Sequence, residues 1–474
     1  MPQASQPGLV IAEGGGLDAR SAYGRQVLGR CLAHIKAGGT HASRFIVLGA
    51  VAPDADDPRL EVALELGASF AENVMAGENG VGHAEAAAAI DRADIVFIRG
   101  GDQSRYVKFW MNSPVRAALQ RVPLRGGVVI GSSAGCAVLS EWVYDAVHGG
   151  LGPLDSLRDG RHPDLTITHP FLGYARGVLF DTHFIERARF PRLAAMLGVI
   201  ARPILGIGIE ASTAVIVSGE PHAQVGEVVG EGVVTLLRAG PACASLTPVG
   251  RPPTVTGLRM DILAPGTRFS LQDGTVISRP DWVRASDHAG EQPRETSFEA
   301  CSVQGREPDD AKAGLRRVVI EKEKALLTTG EGKVPWLVLT GLWSGLPRAG
   351  AWMAMLRAIA EQPGAMLLVA DSGTRLDFGD DGGVRVEAGE EGPPASAMVL
   401  ASRDLAWVGV GDQHVHLEGL RLDVLAPGWA ADLVHGGVEP PEGVTLVPMR
   451  DLQNNDNLDD PIDAALDAAD IPDK

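Results

Sequence analysis

Residues 131–135 read Gly-Ser-Ser-Ala-Gly and fit the G-x-S-x-G pattern, in which a serine stands on a sharp turn between a strand and a helix. An apolar run at 128–130 precedes this segment, and helix-compatible residues follow from Cys136. Small flanking residues permit the strained turn, which exposes the hydroxyl and directs helix amides at a developing oxyanion. The pattern predicts Ser133 as a nucleophile; the alternative is an ordinary glycine-rich turn.

A serine nucleophile needs a base, and the chain offers twelve histidines. His183 follows the strand-like run 178–180, and open α/β sheets build their sites at the carboxyl ends of strands, so we expect it on the same sheet rim as Ser133. Arg187, Arg189 and Arg192 follow at helical spacing, and three cations beside a histidine indicate an anionic ligand. The alternative is a solvated basic helix face with a capping histidine.

Composition excludes several classes of protein. The 474 residues carry 42 basic and 60 acidic side chains, a net charge of −18, which argues against nucleic-acid or anionic-membrane binding as the main activity. No apolar run reaches a membrane-spanning length, and no secretory signal is visible, so we expect a cytoplasmic protein. The four cysteines form no C-x-x-C, and His414 and His416 lack a third ligand, so we expect no metal and no other cofactor.

The elements that must position Ser133 and His183 alternate in the first 220 residues. Short apolar runs at 9–11, 45–48, 95–98, 128–130 and 207–209 are separated by segments typical of helices near 19–36, 82–91, 103–120, 134–142 and 184–200. This alternation predicts an open, mostly parallel α/β sheet. From about 212 to 282, short β-branched runs between glycines and prolines predict an antiparallel β addition.

The later part of the chain contains a partial internal repeat. Residues 257–266 (GLRMDILAPG) recur at 419–428 (GLRLDVLAPG), and Ala-Met-Leu at 195–197 recurs at 354–356, with offsets of 162 and 159. The second copy has Leu342 opposite His183 and Ala351 opposite Arg192, so it is degenerate. We predict four parts: a catalytic domain (1–283), a polar linker and helix (284–332), the degenerate copy (333–450) and an acidic tail (451–474).

Four segments in this order resemble the cyanophycinase-like serine peptidases, a group that also includes the aspartyl dipeptidases. They read FIRGGDQ at 97–103, GSSAG at 131–135, D-x-HF-x-x-R-x-R-x-x-R at 181–192 and GIGIE at 206–210. The resemblance covers roughly residues 8–270. It implies a class I glutamine-amidotransferase-like (flavodoxin-like) fold, Ser133 as nucleophile, His183 as base and a homodimer.

The resemblance also implies the remaining site residues. The oxyanion hole would use amides of Gly100 or Gly101 and of Ala134. Substrate contacts are expected from a set of polar side chains around the base and its neighbouring loop, namely Asp102, Gln103, Asp181, Thr182, Arg187, Arg189 and Arg192. The arginines suit substrate carboxylates, and the aspartates suit substrate guanidinium groups. For Asp102 and Asp181 the alternative is that either one only anchors a loop.

Two positions depart from the family pattern. The family usually has Asp-Glu where this chain has Glu210-Ala211, with the glutamate as the acid that orients the base. Either Glu210 takes that role, or another acid such as Asp145 does, or activity is reduced. The second departure is Thr182, where cyanophycinases usually have glutamine.

The leading hypothesis is therefore a serine exopeptidase that cleaves cyanophycin (multi-L-arginyl-poly-L-aspartate) to β-Asp-Arg dipeptides. A related aspartyl dipeptidase or isopeptidase is the first alternative, supported by Thr182 and Ala211. A non-catalytic binding or scaffold protein that keeps the fold is the second.

Overall fold

The computed structural model describes residues 7–53, 56–241, 243–286, 317–319, 327–330, 336–340, 348–361, 366–370, 373–378, 383–389, 393–411, 414–432, 437–444 and 447–449. The predicted acidic tail, Leu342, Cys301 and most of the predicted linker lie outside these residues.

Strands occur throughout the first 286 residues. They are β1 (Leu9–Glu13), β2 (Arg44–Gly49), β3 (Phe70–Met75), β4 (Ile95–Ile98), β5 (Val128–Ser132), β6 (Ser140–Tyr144), β7 (Ile167–Thr168), β8 (Ala175–Thr182), β9 (Leu205–Ile209), β10 (Thr213–Ser218), β11 (Val225–Gly230), β12 (Val234–Arg238), β13 (Ala244–Leu246), β14 (Thr254–Leu263), β15 (Arg268–Ser270), β16 (Val276–Ser278) and β17 (Arg284–Ala285).

The helices of the same part connect these strands. They are α1 (Ala22–Ala37), α2 (Pro58–Glu65), α3 (His83–Arg92), α4 (Gln103–Trp110), α5 (Pro114–Leu124), α6 (Ala134–Ala137), α7 (Pro153–Arg158) and α8 (Phe190–Ile200), with one 3₁₀ turn at Glu78–Gly80. Side chains cap several of them: Ser21 accepts a hydrogen bond from the Gly24 amide at the start of α1, and Asp102 does the same for Ser104 at the start of α4.

The C-terminal part is mostly strand. It comprises β18 (Arg317–Val319), β19 (Leu327–Gly330), β20 (Trp336–Thr340), α9 (Arg348–Glu361), β21 (Met366–Ala370), β22 (Thr374–Phe378), β23 (Gly383–Ala388), β24 (Ala397–Ala401), β25 (Trp407–Val410), β26 (Val415–Leu425), β27 (Ala430–Asp432), β28 (Val438–Glu439) and β29 (Val447–Pro448).

The first sheet has nine strands in the order β16-β15-β11-β10-β1-β5-β4-β2-β3. The five strands from β1 to β3 are parallel, and β10, β11, β15 and β16 continue the sheet in antiparallel fashion. Parallel strands covered by helices are buried on both faces, which explains their unbroken apolar runs. In β1, Leu9 and Ile11 join one apolar cluster, while Val10 and Ala12 join another.

A second sheet follows the path β19-β20-β21-β24-β26-β14-β12-β9-β8-β6-β7, with β13, β17, β25 and β29 attached beside it. A third, five-stranded sheet has the order β18-β22-β23-β27-β28. The largest apolar cluster combines residues of α8, α9 and the second sheet. In the described part of the chain, no helix is long and apolar enough to cross a membrane.

The expected α/β architecture with mixed sheets is confirmed, but three local predictions are wrong. The helix predicted at 134–142 ends at Ala137, and β6 begins at Ser140. The helix predicted at 184–200 begins only at Phe190, because positive φ angles at His183 and Ala188 shape a turn. The segment 103–120 forms two helices, since a proline at position 114 starts the second one.

A fourth prediction is wrong in a way that matters for the site. Ser133 follows β5 of the first sheet, whereas His183 follows β8 of the second sheet. The two residues therefore do not share the rim of one sheet. Strand β9, which we expected in the same parallel sheet as β5, also lies in the second sheet, because its neighbours are β8 and β12.

Candidate active site

Ser133 stands at a strained turn between β5 and α6. Its backbone has φ 52° and ψ −114°, a conformation that few residues other than glycine adopt. The flanking glycines are required by space: a Cβ at Gly131 would collide with the carbonyl of Gly135, and one at Gly135 would collide with the carbonyl of Ile98. The G-x-S-x-G residues therefore form the sharp elbow that projects the Ser133 side chain.

His183 lies opposite the serine. Its Nε2 is 3.0 Å from Ser133 Oγ, within hydrogen-bond distance, so the hydroxyl can donate to this nitrogen when the imidazole proton is on Nδ1. The histidine directly follows β8 and also has a positive φ, 44°. Nucleophile and base thus meet although they come from different sheets.

The backbone after β1 joins the two residues. The carbonyl of Glu13 accepts a hydrogen bond from the Ser133 amide at 2.9 Å, and the next carbonyl, that of Gly14, accepts one from the His183 amide at 2.8 Å. Gly15, with φ 120°, lies so close to the imidazole that a Cβ there would overlap the ring. We call residues 13–16 the bridging segment, because they fix the serine and the histidine relative to each other.

Backbone amides beside Ser133 can receive negative charge. Ala134 opens α6, and the first N–H groups of a helix have no acceptor within the helix. Gly100 packs against the serine, since a Cβ built there would be 3.3 Å from Ser133 Cβ and 3.9 Å from Oγ. Gly101 has φ 139°, which lets the loop turn sharply at this point. Ala134 and Gly100 therefore lie beside the hydroxyl, and Gly101 is the next residue of the same loop.

The imidazole of His183 is neutral at pH 7. Burial, followed by the positive charges of Arg187 and Arg189, lowers its pKa from 6.5 to about 4, while Asp181 opposes this shift. A neutral imidazole can accept the serine proton. Its low pKa also makes it a weaker base than an ordinary histidine.

Glu210 does not orient His183. Its carboxylate accepts a hydrogen bond from the Val233 amide, and burial raises its pKa to about 7. The strand register explains why the Glu210 side chain reaches Val233. Strands β9 and β12 are antiparallel with Ile209 opposite Val234, so residue 210 faces residue 233. The expectation that Glu210 completes a triad therefore has to be corrected.

Asp145, the other candidate acid, binds elsewhere too. Its carboxylate accepts hydrogen bonds from the hydroxyls of Thr166 and Thr168 and from the Val147 amide. Among the residues that the structure describes, no carboxylate forms a hydrogen bond or an ion pair with the His183 ring. The geometry is that of a serine–histidine pair.

Two glutamates that sequence analysis did not select lie close behind this pair. Glu13 is fully buried, and mainly because of this burial its pKa is raised to about 7. The Ser132 hydroxyl and the Gly15 amide oppose the increase, whereas the negative charge of Glu186 adds to it. Glu186 accepts a hydrogen bond from the amide of Ala211, the position where the family pattern has its acid. The sequence signal that could have pointed to Glu13 is its place between the apolar run of β1 and the glycines at 14–16.

Most of the predicted arginine and aspartate contacts are internal. Arg192 is 4% exposed and forms a bidentate ion pair with Asp181, donates to the Leu151 carbonyl and stacks on Tyr144. Arg189 donates to the Thr182 carbonyl and pairs with Asp181. Asp181, Thr182 and Arg192 are buried. They therefore anchor the turn that carries His183 and do not face a substrate.

Arg187 is different, since it is exposed one turn after His183, where its amide donates to the His183 carbonyl. In the described part of the chain its guanidinium has no ion-pair partner. Asp102 caps α4 and pairs with Arg105 at 3.5 Å, and Gln103 donates to the Tyr144 carbonyl at 3.4 Å. Asp102 is exposed and Gln103 half-buried, so these side chains border the site.

No group of three or more His, Cys, Asp or Glu side chains among the described residues is arranged to hold a metal ion. Cys136, three residues after Ser133, is buried, and burial raises the pKa of its thiol well above the usual value. It is a core residue and not a second nucleophile.

A serine beside a histidine at such an elbow defines a serine-hydrolase type of site, and sequence comparison identifies its class. Residues 81–224, which include both Ser133 and His183, match the sequence model of peptidase family S51. This part of the chain is therefore similar to that family.

Curated relatives make the comparison more specific. The chain is 33% identical over 196 residues to the cyanophycinase of Trichormus variabilis (strain ATCC 29413 / PCC 7937), which covers 40% of this chain and 61% of the relative. It is 29% identical over 283 residues to the cyanophycinase of Thermosynechococcus vestitus (strain NIES-2133 / IAM M-273 / BP-1), covering 57% of this chain and 81% of the relative. The chain thus spans about three fifths of the length of the first of these relatives.

Among solved structures, the chain is similar to the crystal structure of a peptidase from an acI-B1 Actinobacterium. The identity is 18% and the TM-score is 0.39, and the match covers 56% of this chain and 98% of that chain.

Replacing Gly15 tests the bridging segment. In Gly15→Ala the methyl group would overlap the imidazole, and φ 120° disfavours alanine, so we expect His183 to be displaced. A displacement of about 1 Å lowers reactivity by about 100-fold. The rate at which a serine-directed acylating probe labels Ser133 measures this. Gly29→Ala, in open space on α1, is the control, and equal rates in both variants would contradict the assignment.

The low pKa of His183 predicts an unusual pH profile. Labelling of Ser133 by an uncharged acylating probe should stay constant from pH 8 to about pH 6 and fall only as the pH approaches about 4. In Arg187→Gln one cation that disfavours the imidazolium is removed, so the pKa rises and the fall moves to higher pH. Arg121→Gln, at an exposed ion pair with Asp91, should leave the profile unchanged. A wild-type fall centred near 6.5 would refute the assigned environment.

The buried ion pair predicts a large loss of stability. Asp181→Ala leaves the Arg192 guanidinium buried without its partner, so the free energy of unfolding should fall by about 3–5 kcal/mol. Asp91→Ala, which breaks the exposed pair with Arg121, should change it by less than about 1 kcal/mol. Denaturant unfolding measures both, and equal effects would show that the Asp181 pair is not a structural anchor.

Proposed function

We propose that this chain is a serine peptidase that cleaves cyanophycin to β-Asp-Arg dipeptides, with Ser133 as nucleophile and His183 as base. The observation that carries the proposal is the 3.0 Å contact between Ser133 Oγ and His183 Nε2 at a strained elbow. The match of residues 81–224 to peptidase family S51 and the similarity to cyanophycinases support the reaction class and the substrate.

Catalysis begins with proton transfer. His183 Nε2 takes the proton of the Ser133 hydroxyl as the oxygen attacks the scissile carbonyl carbon. The amides of Ala134 and of Gly100 or Gly101 donate to the oxyanion of the tetrahedral intermediate. The imidazolium then gives its proton to the leaving amine, which leaves an acyl-enzyme on Ser133. Water, deprotonated by His183, hydrolyses this ester and regenerates the serine.

Among the described residues no carboxylate pairs with the His183 ring, and the arginines beside it make its protonated form less stable. The imidazolium that forms during attack is disfavoured by Arg187 and Arg189, so the rate should be lower than in an enzyme whose histidine pairs with an acid. Buried and hydrogen-bonded, the turn from Asp181 to Arg192 holds the ring in place instead.

Substrate recognition falls to Arg187. Each cyanophycin unit presents the free α-carboxylate and the guanidinium of the arginine attached to its aspartate side chain. Arg187 is exposed beside His183 and can pair with the carboxylate, whereas Asp102 is exposed on the adjoining loop and can meet a guanidinium. Gln103 adds an amide at the same border.

An aspartyl dipeptidase or isopeptidase is the second candidate. The internal pairing of Arg189 and Arg192 with Asp181 favours it, because one free guanidinium suffices for a substrate with a single carboxylate to anchor. A non-catalytic scaffold remains the contrasting hypothesis, and it would require the Ser133 hydroxyl to be unreactive.

We further propose that the first sheet and its elbow are of the class I glutamine-amidotransferase-like type. In this proposal residues 1–283 form the catalytic domain, and residues 333–450 are a degenerate second copy of its later half. The matching segments 257–266 and 419–428, which lie in and after β14 and β26, support the copy.

Dipeptide release tests the proposed function. Purified protein incubated with cyanophycin should release soluble β-Asp-Arg, and Ser133→Ala should lower the rate by at least about 1,000-fold. Cys136→Ala, which removes the neighbouring buried thiol, should keep most of the activity. Hydrolysis of aspartyl dipeptides or isopeptides, without release of β-Asp-Arg from cyanophycin, would favour the second candidate. No reaction of Ser133 with substrate or acylating probe would leave only the scaffold.

A further inference from the structure

The middle of the second sheet is formed by two strands with nearly the same sequence. Strands β14 and β26 pair in antiparallel fashion with Arg259 opposite Arg421. Leu258 lies opposite Leu422, and Met260 lies opposite Leu420. At the sequence offset of 162, Arg421 is the counterpart of Arg259, so each strand faces its own counterpart about a local two-fold axis.

Side-chain hydrogen bonds across this pair obey the same symmetry. The Gly419 amide donates to Asp261 Oδ1 at 2.8 Å, and the Gly257 amide donates to Asp423 Oδ1 at 2.7 Å. Each donor and each acceptor has its counterpart 162 residues away. Reciprocal contacts of this kind characterise the isologous interface of a two-fold dimer.

A second reciprocal pair lies further along the strands. The Ala264 amide donates to His416 Nδ1 at 3.3 Å, and the Ala426 amide donates to Thr254 Oγ1 at 3.1 Å. The offset is again 162 for donors and acceptors alike. The acceptor is a histidine in one strand and a threonine in the other, yet both accept from the equivalent amide.

The symmetry extends to whole elements. On one side of the axis the sheet runs β14-β12-β9-β8, and on the other it runs β26-β24-β21-β20. Each side contains a parallel pair joined by a helix: β8, α8 and β9 correspond to β20, α9 and β21. The two helices meet in one core, where the rings of Phe190 and Trp352 lie 4.3 Å apart.

The β14 edge needs a partner. This strand is ten residues long and mostly buried, and β12 pairs with only one of its edges. A long apolar edge strand left open pairs readily with another chain. Here β26 fills the open edge.

We infer that the C-terminal copy fills, within the same chain, the place at the β14 edge that a second identical subunit would occupy. The chain is then a monomer in which the catalytic domain and the C-terminal copy together contain one active site. This contrasts with the homodimer that the family resemblance implies. The described residues of the C-terminal copy contribute no side chain to the Ser133–His183 site. The copy braces the active-site turn through the ring contacts from Trp352 to Phe190 and from Phe190 to Phe184, the neighbour of His183.

The mass of the full chain tests this inference without any variant. Sedimentation equilibrium of the wild-type protein should give the monomer mass, 49.7 kDa, across the micromolar range. A stable dimer would overturn the inference. This result does not depend on whether the protein cleaves cyanophycin, so it is independent of the proposed function.

A cysteine pair tests which strand covers β14. Arg259 is exposed and Arg421 half-buried, and they are opposite each other. In the double variant Arg259→Cys with Arg421→Cys, mild oxidation should link the two positions within one chain, seen by peptide mapping and as a monomer on a non-reducing gel. The single variant Arg259→Cys should stay monomeric. A covalent dimer in either variant, beyond the wild-type background, would mean that β14 pairs with another chain and would overturn the inference.

Discussion

The proposed chemistry depends on two successive carbonyl groups. Those of Glu13 and Gly14 accept hydrogen bonds from the amides of Ser133 and His183, which belong to different sheets. Since both acceptors are on adjacent residues, the distance between nucleophile and base is set by one peptide unit. The three glycines that follow Glu13 leave room for the imidazole on one side and the start of β10 on the other.

The electrostatics of the site follow from the second anchor, the ion pair of Asp181 with Arg192. Asp181 neutralises part of the positive charge that three arginines bring to His183, yet burial and the remaining cations still keep the imidazole neutral. The same pairing removes Arg192 from the substrate side and leaves Arg187 exposed. The arginine cluster therefore has two tasks: its buried member stabilises the turn, and its exposed member is available to a carboxylate.

Features that depend on neighbouring residues could be predicted from the sequence. The elbow at Ser133 was predictable because its glycines and flanking runs are contiguous, and His183 was predictable because it ends a strand and precedes arginines. The direction of Glu210 was not, since it depends on the register of β9 against β12, which come from separate parts of the chain. The same holds for the assignment of β5 and β8 to different sheets and for the pairing of Asp181 with Arg192. Whether a polar residue faces a ligand or a buried partner is decided by such tertiary contacts.

The most direct test of the account is a crystal structure of the protein treated with a phosphonate that traps serine nucleophiles. The account predicts a covalent bond from Ser133 Oγ to phosphorus, the phosphoryl oxygen within hydrogen-bond distance of the amides of Ala134 and Gly100 or Gly101, and His183 Nε2 within reach of the same centre. Attachment at another residue, or a His183 ring turned away from the adduct with Gly14 no longer bonded to its amide, would contradict it.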